Sequence, residues 1–148
     1  MPFYRMAKAV DEFASHCNEE VMVQTGYTDY DYKYAHAFKF CTKDEMQKYI
    51  AEASILILQG GWGAISEAMD LHKRIVVIPR HDKTEHIHDQ FQLIRKLNAL
   101  GCVVAAFDEK DLNEAVERTR RFEFKQLAKG NAEGLIRDAL RKWFSCKI

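Results

Sequence analysis

Four apolar runs of strand length, VMVQTG at 21–26, ASILILQGG at 53–61, RIVVIPR at 74–80 and CVVAAFD at 102–108, decide most of what this chain can fold into. Their residues do not alternate between apolar and polar, so both faces of each strand have to be covered. Helix-patterned segments supply the cover. Residues 3–15 place Phe3, Met6, Ala7, Val10, Phe13 and Ala14 at helical spacing, and Ile87, Phe91, Ile94, Leu97 and Leu100 mark a longer buried stripe that Gly101 ends. Thr42 with Glu45 forms a capping box that opens a helix through Met46, Tyr49 and Ile50. A short helix is expected over 63–71, another from the acidic turn at 108–111 to about residue 121, and a final amphipathic one over 131–144. AHAFKF at 35–40 alternates weakly, as a further strand would. Buried strands separated by helices call for right-handed crossovers, so the fold class is α/β, a single Rossmann-like domain over 1–148 with a parallel sheet and helices on both faces.

The totals exclude several classes of function. A chain of 148 residues with 47% hydrophobic and 30% charged residues suits one domain with one sizeable core. Lys plus Arg equals Asp plus Glu at 22 each, so no basic excess exists to neutralise a nucleic-acid backbone or an anionic membrane. No apolar run approaches the roughly 20 residues of a membrane-spanning helix. Cys17, Cys41, Cys102 and Cys146 lie far apart without a C-x-x-C pair, as in a reduced cytoplasmic protein.

The stretch LILQGGWGAISE carries the chemistry. Gly60, Gly61 and Gly63 let the backbone turn between a strand and a helix and approach a ligand closely, and the free N–H groups of the helix start face a phosphate-sized anion. Ser66 and Glu67 follow, where a carboxylate can accept hydrogen bonds from two ribose hydroxyls. The plain alternative is a glycine turn with a solvated first helical turn. No Lys follows the glycines, so this is not a G-x-x-x-x-G-K-[ST] loop.

ILILQGGWGAISEAMDLHKRIVVIPR, followed by EHIHDQFQLIRKLNALG, resembles the C-terminal, nucleotide-sugar-binding half of glycosyltransferase family 28. That family's pattern is a strand, a His-Ala-Gly-like turn, a Ser/Thr-x-x-Glu helix start, a strand ending in Pro, and a His-Gln before a helix. The opening PFYRMAKAVDEFA and EEVMVQTGYTDY is similar to small stand-alone members, the catalytic subunits of two-part UDP-sugar transferases of dolichol-linked GlcNAc and of bacterial capsule and exopolysaccharide synthesis. The resemblance implies the C-terminal half of a GT-B glycosyltransferase. It implies a donor site in which Gly60, Gly61, Gly63 and the turn around them face a diphosphate, Ser66 and Glu67 lie at the ribose, and Gln90 lies near the donor sugar or phosphates. Arg80, just past Pro79, would add charge at the same rim. Three positions depart from the pattern: Gln59 replaces the turn His, Trp62 is bulky where a small residue is usual, and Asp89 stands where the His of His-Gln would be. Gln59 can donate a hydrogen bond but cannot carry a proton as imidazole does. By the resemblance, stand-alone relatives begin with one more apolar strand and a Gly-containing loop ahead of the helix that contains RMAKAVDEF. The expectation is either that this strand is absent or that the sequence is a truncated form, and that the protein is unstable alone or pairs through the gap.

The same resemblance implies transfer of a hexosyl group, GlcNAc or glucose, from a UDP-sugar to a lipid-linked saccharide acceptor. One such domain holds only the donor half. A membrane-anchored acceptor-binding subunit is therefore the expected partner, with the chain cytoplasmic and recruited to the membrane through it, and a homo-oligomer is the other assembly to consider. The helix N–H groups, with Arg80 as helper, would stabilise the departing diphosphate, and neither cofactor nor metal is required.

Two other readings stay open. Gln59 and Asp89 favour a catalytically inactive nucleotide-sugar-binding regulator or partner subunit. HDKTEHIHDQ at 81–90 brings His81, Asp82, Glu85, His86, His88 and Asp89 together, the side-chain types of a small metallohydrolase. Yet no His follows Asp89, and His86 and His88 diverge by about 200° on a helix that turns about 100° per residue. The tyrosines of YTDYDYKY at 27–34 suit a base, a sugar or an interface, and a solvated loop with some rings packed down is the plainer expectation. Trp143 and Phe144 are expected to be core or docking contacts.

Overall fold

The computed structural model describes residues 2–80 and 90–127. In chain order these form α1 (Tyr4–Ala14), β1 (Met22–Gln24), β2 (His36–Phe38), α2 (Lys43–Glu52), β3 (Ile55–Gln59), α3 (Trp62–Asp70), β4 (Arg74–Ile78), α4 (Phe91–Ala99), β5 (Val104–Ala105), a 3₁₀ turn (Glu109–Asp111) and α5 (Leu112–Arg121). The fold is α/β with parallel pairing throughout the described residues, as the unalternating runs require. The strands are shorter than the apolar runs, and they form two ladders, β1-β2 and β3-β4-β5. The expected final helix over 131–144, with Trp143 and Phe144, and the fourth cysteine, Cys146, lie outside the described residues. So does the expected helical start at Ile87.

β4 organises the core because it has a strand on either side and helices on both faces. Val76 and Ile78 point to one layer, where they meet Phe3 and Val10 of the α1 segment and Leu112, Ala115 and Val116 of α5. Ile75 and Val77 point to the other layer, against Ile65, Ala68 and Met69 of α3 and Ile94 and Leu97 of α4. Each of these four β4 side chains is fully buried, which stabilises the fold by about 1.5–3 kcal/mol apiece. β3 is similarly apolar, but Ile55, Leu56, Ile57 and Leu58 are only partly buried, and one edge of the strand has no neighbour among the described residues.

Local chemistry sets the ends of the elements. The Thr42 hydroxyl accepts from the Glu45 N–H (3.3 Å) and the Glu45 carboxylate accepts from the Thr42 N–H (2.8 Å), so the capping box forms as the sequence reads. Gly101 takes φ +76° after α4, a conformation that suits glycine at a helix end. At the far end of α5 the Arg74 guanidinium donates to the carbonyls of Thr119 and Arg120, tying the start of β4 to the last helical turn.

Asp11 of α1 is 3% exposed and fastens the Tyr-rich loop. Its carboxylate accepts from the backbone N–H groups of Lys33, Tyr34 and Ala35 at 2.9–3.2 Å. Burial alone would raise the Asp11 pKa, but these three hydrogen bonds and the nearby Lys33 charge hold it below the usual value. Tyr30 and Tyr32 pack edge to face at 4.8 Å, whereas Tyr27 and Tyr34 are exposed.

Candidate functional site

The carboxyl ends of β3 and β4 and the start of α3 come together at one rim. Parallel strands deliver their connecting turns there, and helix N-termini present their unpaired N–H groups on the same side. Gln59 ends β3, Gly60 and Gly61 make the turn, and α3 begins at Trp62. No side chain caps α3, and its first turn carries no acidic residue. The N-terminal pole, equivalent to about half a positive elementary charge, is thus not compensated by a carboxylate in the helix's own first turn.

Three residues singled out from the sequence meet in one bonded network. The Arg80 Nε donates to Gln59 Oε1 at 2.8 Å, and the Arg80 backbone N–H donates to Gln90 Oε1 at 3.1 Å. Arg80 and Gln90 are 7% and 8% exposed, so the bond between them is screened from water, whereas the bond to Gln59, an exposed residue, is only partly buried. Gln90 packs over Gly60 so closely that a Cβ at residue 60 would stand 2.9 Å from the Gln90 Cβ and Cδ. Gly60 is glycine for that close approach.

The other glycines behave differently from the sequence expectation. Gly61 has φ −75° and ψ 125°, an extended conformation open to any residue, and it is the N-cap of α3. Gly63 is the second residue of the helix, which starts one position earlier than expected, so it is not part of the turn. A Cβ at either position would meet no atom within 4 Å, which leaves the space above the helix start clear of this chain's described atoms. Ser66 is half-buried one turn further on, and Glu67 is exposed beside it. Glu67, Gln59 and Arg80 line one slot, together with residues of β1, α2 and β3. Trp62, at the first helical position, is 46% exposed at the same rim. Asp89 and the histidines of 81–88 lie outside the described residues, and among the described residues no cluster of His, Cys, Asp or Glu suits a metal ion.

Two further residues pack at the rim, Phe3, which the sequence places in a helical stripe, and Arg5, to which the sequence pattern gives no role. The Arg80 guanidinium lies over the Phe3 ring, 4.6 Å from its centroid, a cation–π contact that fixes the plane of the charge. Arg5 donates to the Pro79 carbonyl (2.9 Å) and pairs with Glu109 (2.9 Å), which pins the start of α1 to the end of β4. The signal for Phe3 was its place ahead of the helix, where an aromatic residue is free to stack on a strand end. Nothing in the sequence pointed Arg5 at Pro79.

The arrangement suits a polyanionic ligand. A guanidinium held on an aromatic face and by Gln59, with its backbone N–H fixed by Gln90, stands near a helix N-terminus, and an acidic residue suited to hydroxyl groups lies one and a half turns along. Among the described residues no helix is long and apolar enough to cross a membrane. Neither curated proteins nor solved structures give a match to this chain. The model of the glycosyltransferase family 28 C-terminal domain matches residues 4–140, nearly the whole chain, so the protein belongs to that family and its domain is a glycosyltransferase's nucleotide-sugar-binding domain.

Proposed function

We propose that the rim formed by Gln59, Gly60, Gly61, Gly63, Ser66, Glu67, Arg80 and Gln90, with Asp89 adjacent in sequence, binds a UDP-sugar. In this reading the diphosphate lies over the start of α3, Glu67 accepts from the ribose hydroxyls, and Arg80 offsets phosphate charge from the side. The observation that carries it is the network at Arg80, in which Gln59 accepts from the guanidinium and Gln90 from the backbone N–H of one buried arginine at the carboxyl end of the sheet. A buried guanidinium kept in place before the ligand arrives stabilises charge as it develops, without reorganising.

The reaction is hexosyl transfer, of GlcNAc or glucose. The bond between the sugar C1 and the diphosphate oxygen breaks, a bond from C1 to an acceptor hydroxyl oxygen forms, and the hydroxyl proton passes to a base. This chain's share is to bind the donor and to stabilise the departing diphosphate through the α3 N–H groups and Arg80. The acceptor, a lipid-linked saccharide, and the base come from a membrane-anchored second subunit that recruits this cytoplasmic chain to the membrane.

One observation favours a second reading, a nucleotide-sugar-binding subunit without chemistry of its own. Gln59 Oε1 is spent on Arg80, so the residue that replaces the family's histidine acts as a strut and transfers no proton.

The test is calorimetric titration of the chain with UDP, UDP-glucose and UDP-GlcNAc, repeated on Glu67→Ala. Saturable binding that falls at least tenfold in the variant supports the site. Binding that the variant leaves unchanged, or no binding at millimolar ligand, would remove it. Release of UDP from the donor on adding a lipid-linked acceptor and a candidate second subunit separates the transferase from the inactive reading.

A further inference from the structure

Neither layer of the core contains Trp62. It is 46% exposed, and among the described residues no ring stacks on the indole and no group bonds to its N–H. Single exposed apolar residues are common and by themselves mean little. Position sets this one apart. Trp62 is the first residue of α3 and lies between Gly61 and Gly63, where a Cβ at either glycine would meet no atom within 4 Å. The Cα–Cβ bond of a helical residue tilts toward the helix N-terminus, so a side chain at the first position reaches past the helix end. The indole therefore borders the space over the unpaired N–H groups of α3.

Trp62 and Glu67 take different flanks of the helix. Five positions separate them, about 140° around the axis and about 7.5 Å along it. Ala64, Glu67 and Ala68 line the slot on one side of α3. Trp62 instead heads the row of Ile65 and Met69, three and seven positions on, which packs into the layer that α3 shares with Ile94 and Leu97 of α4. Gln90 is the N-cap of α4 and lies over Gly60. The start of α3 thus has a carboxylate on one flank and an aromatic ring on the other, with the positive pole between them.

We propose that Trp62 is the platform on which the hexosyl ring of the donor stacks. The proposal rests on the donor reading above and deepens it. With the ribose at Glu67 and the diphosphate over the start of α3, the sugar beyond the second phosphate comes to the opposite flank, where Trp62 stands. A pyranose chair presents faces of C–H groups and a rim of hydroxyls. An indole suits both, because its flat face is apolar and its N–H donates a hydrogen bond. The helix N–H groups and Arg80 recognise phosphate, which UDP and every UDP-sugar share. Trp62 is the group that tells a sugar-bearing nucleotide from the bare diphosphate. The ligand class is therefore a UDP-linked pyranose bound through its ring as well as through its nucleotide.

The test is calorimetric titration of the full chain, of Trp62→Leu and of Trp62→Phe with UDP, UDP-glucose and UDP-GlcNAc. Leucine keeps apolar bulk without a ring, and phenylalanine restores a ring. Trp62→Leu is expected to weaken both UDP-sugars about fivefold or more while UDP stays within about twofold, and Trp62→Phe to return the UDP-sugars to within about twofold of the parent. Because Trp62 lies outside both core layers, each variant should melt within about 2 °C of the parent. Emission gives a second readout. The chain has two tryptophans, Trp62 and Trp143, and a change on adding a UDP-sugar, larger than with UDP, is expected in the parent and absent from Trp62→Phe. Equal losses for UDP and the UDP-sugars would put Trp62 at the nucleotide and overturn the proposal. UDP-sugar affinities within twofold of the parent in Trp62→Leu would overturn it too. A parent that binds neither UDP nor a UDP-sugar removes the donor reading and this proposal with it, whereas UDP binding that depends on Glu67 keeps that reading whatever Trp62 does.

Discussion

Gln90 occupies the space that a side chain at residue 60 would need, with its Cβ and Cδ 2.9 Å from where a Cβ on Gly60 would stand. The same glutamine accepts the Arg80 backbone N–H, so it cannot move aside without breaking that bond. Gly60→Ala is therefore expected to destabilise the fold by about 1–3 kcal/mol through overpacking. In a Gln90→Ala background the same substitution should cost less than about 1 kcal/mol, because the obstacle is gone. Urea denaturation midpoints of the four proteins check both numbers, and an unchanged cost in the second background would show that the strain has another source.

Arg80 owes its position to contacts that only a guanidinium makes. Lysine keeps the charge but loses the Nε donor to Gln59 and the flat face over Phe3. Arg80→Lys is expected to lower UDP affinity at least tenfold, about 1.4 kcal/mol. Titration with UDP reads this directly. Affinity within twofold of the parent would mean that charge alone suffices at this rim.

Asp11 gives the protein an acid-sensitive tether. Its carboxyl lies below the usual value because three backbone N–H groups and Lys33 outweigh the effect of burial. A depressed carboxylate contributes stability that is fully present above its unfolded pKa of about 3.9 and is lost as pH falls through the folded value. Asp11→Asn is expected to lose about 1–3 kcal/mol at neutral pH. It should also flatten the fall in stability below about pH 4, measured by denaturation at a series of pH values. A variant with the parent's acid limb would assign that limb to other carboxylates.

Tyr32 provides the alkaline counterpart. Burial first, then the charge of Asp11 and the neighbouring Tyr30, push its phenol up to about 12. Folding favours the neutral form, so stability is full below the unfolded value of about 10 and declines as pH rises toward 12. Among the six tyrosines, a late step in phenolate absorbance is expected that disappears on denaturation and moves to lower pH in Asp11→Asn. A single step at the unfolded position would show that the Tyr32 ring is open to water.

The parts of this fold that the sequence made legible are those governed by contacts near in sequence or by uniform burial. RIVVIPR reads as a strand covered on both sides because β4 is that strand, and Thr42 with Glu45 reads as a cap because three residues hold the whole motif. The start of α3 was displaced by one residue, since Trp62 looks like part of a glycine turn although Gly61 already serves as the N-cap. Asp11 was hidden for the opposite reason: its partners lie in a loop whose path no local pattern specifies. At the site the residue types were legible but their joining was not. Gln59, Arg80 and Gln90 sit at the ends of separate elements, and only the parallel pairing of β3 and β4 brings them to one rim.

β4, with a strand on either side and helices above and below, is where amide hydrogen exchange should be slowest, and the two-stranded β1-β2 ladder is where it should be fastest among the strands. Gln59, Gly60 and Arg80 extend from the slow unit, and Gln90 leads into the helix packed on it. The rim consequently remains assembled when the outer ladder opens. A nucleotide bound there would protect β3 and β4 against proteolysis and leave the segment around β1 and β2 as easily cut as before.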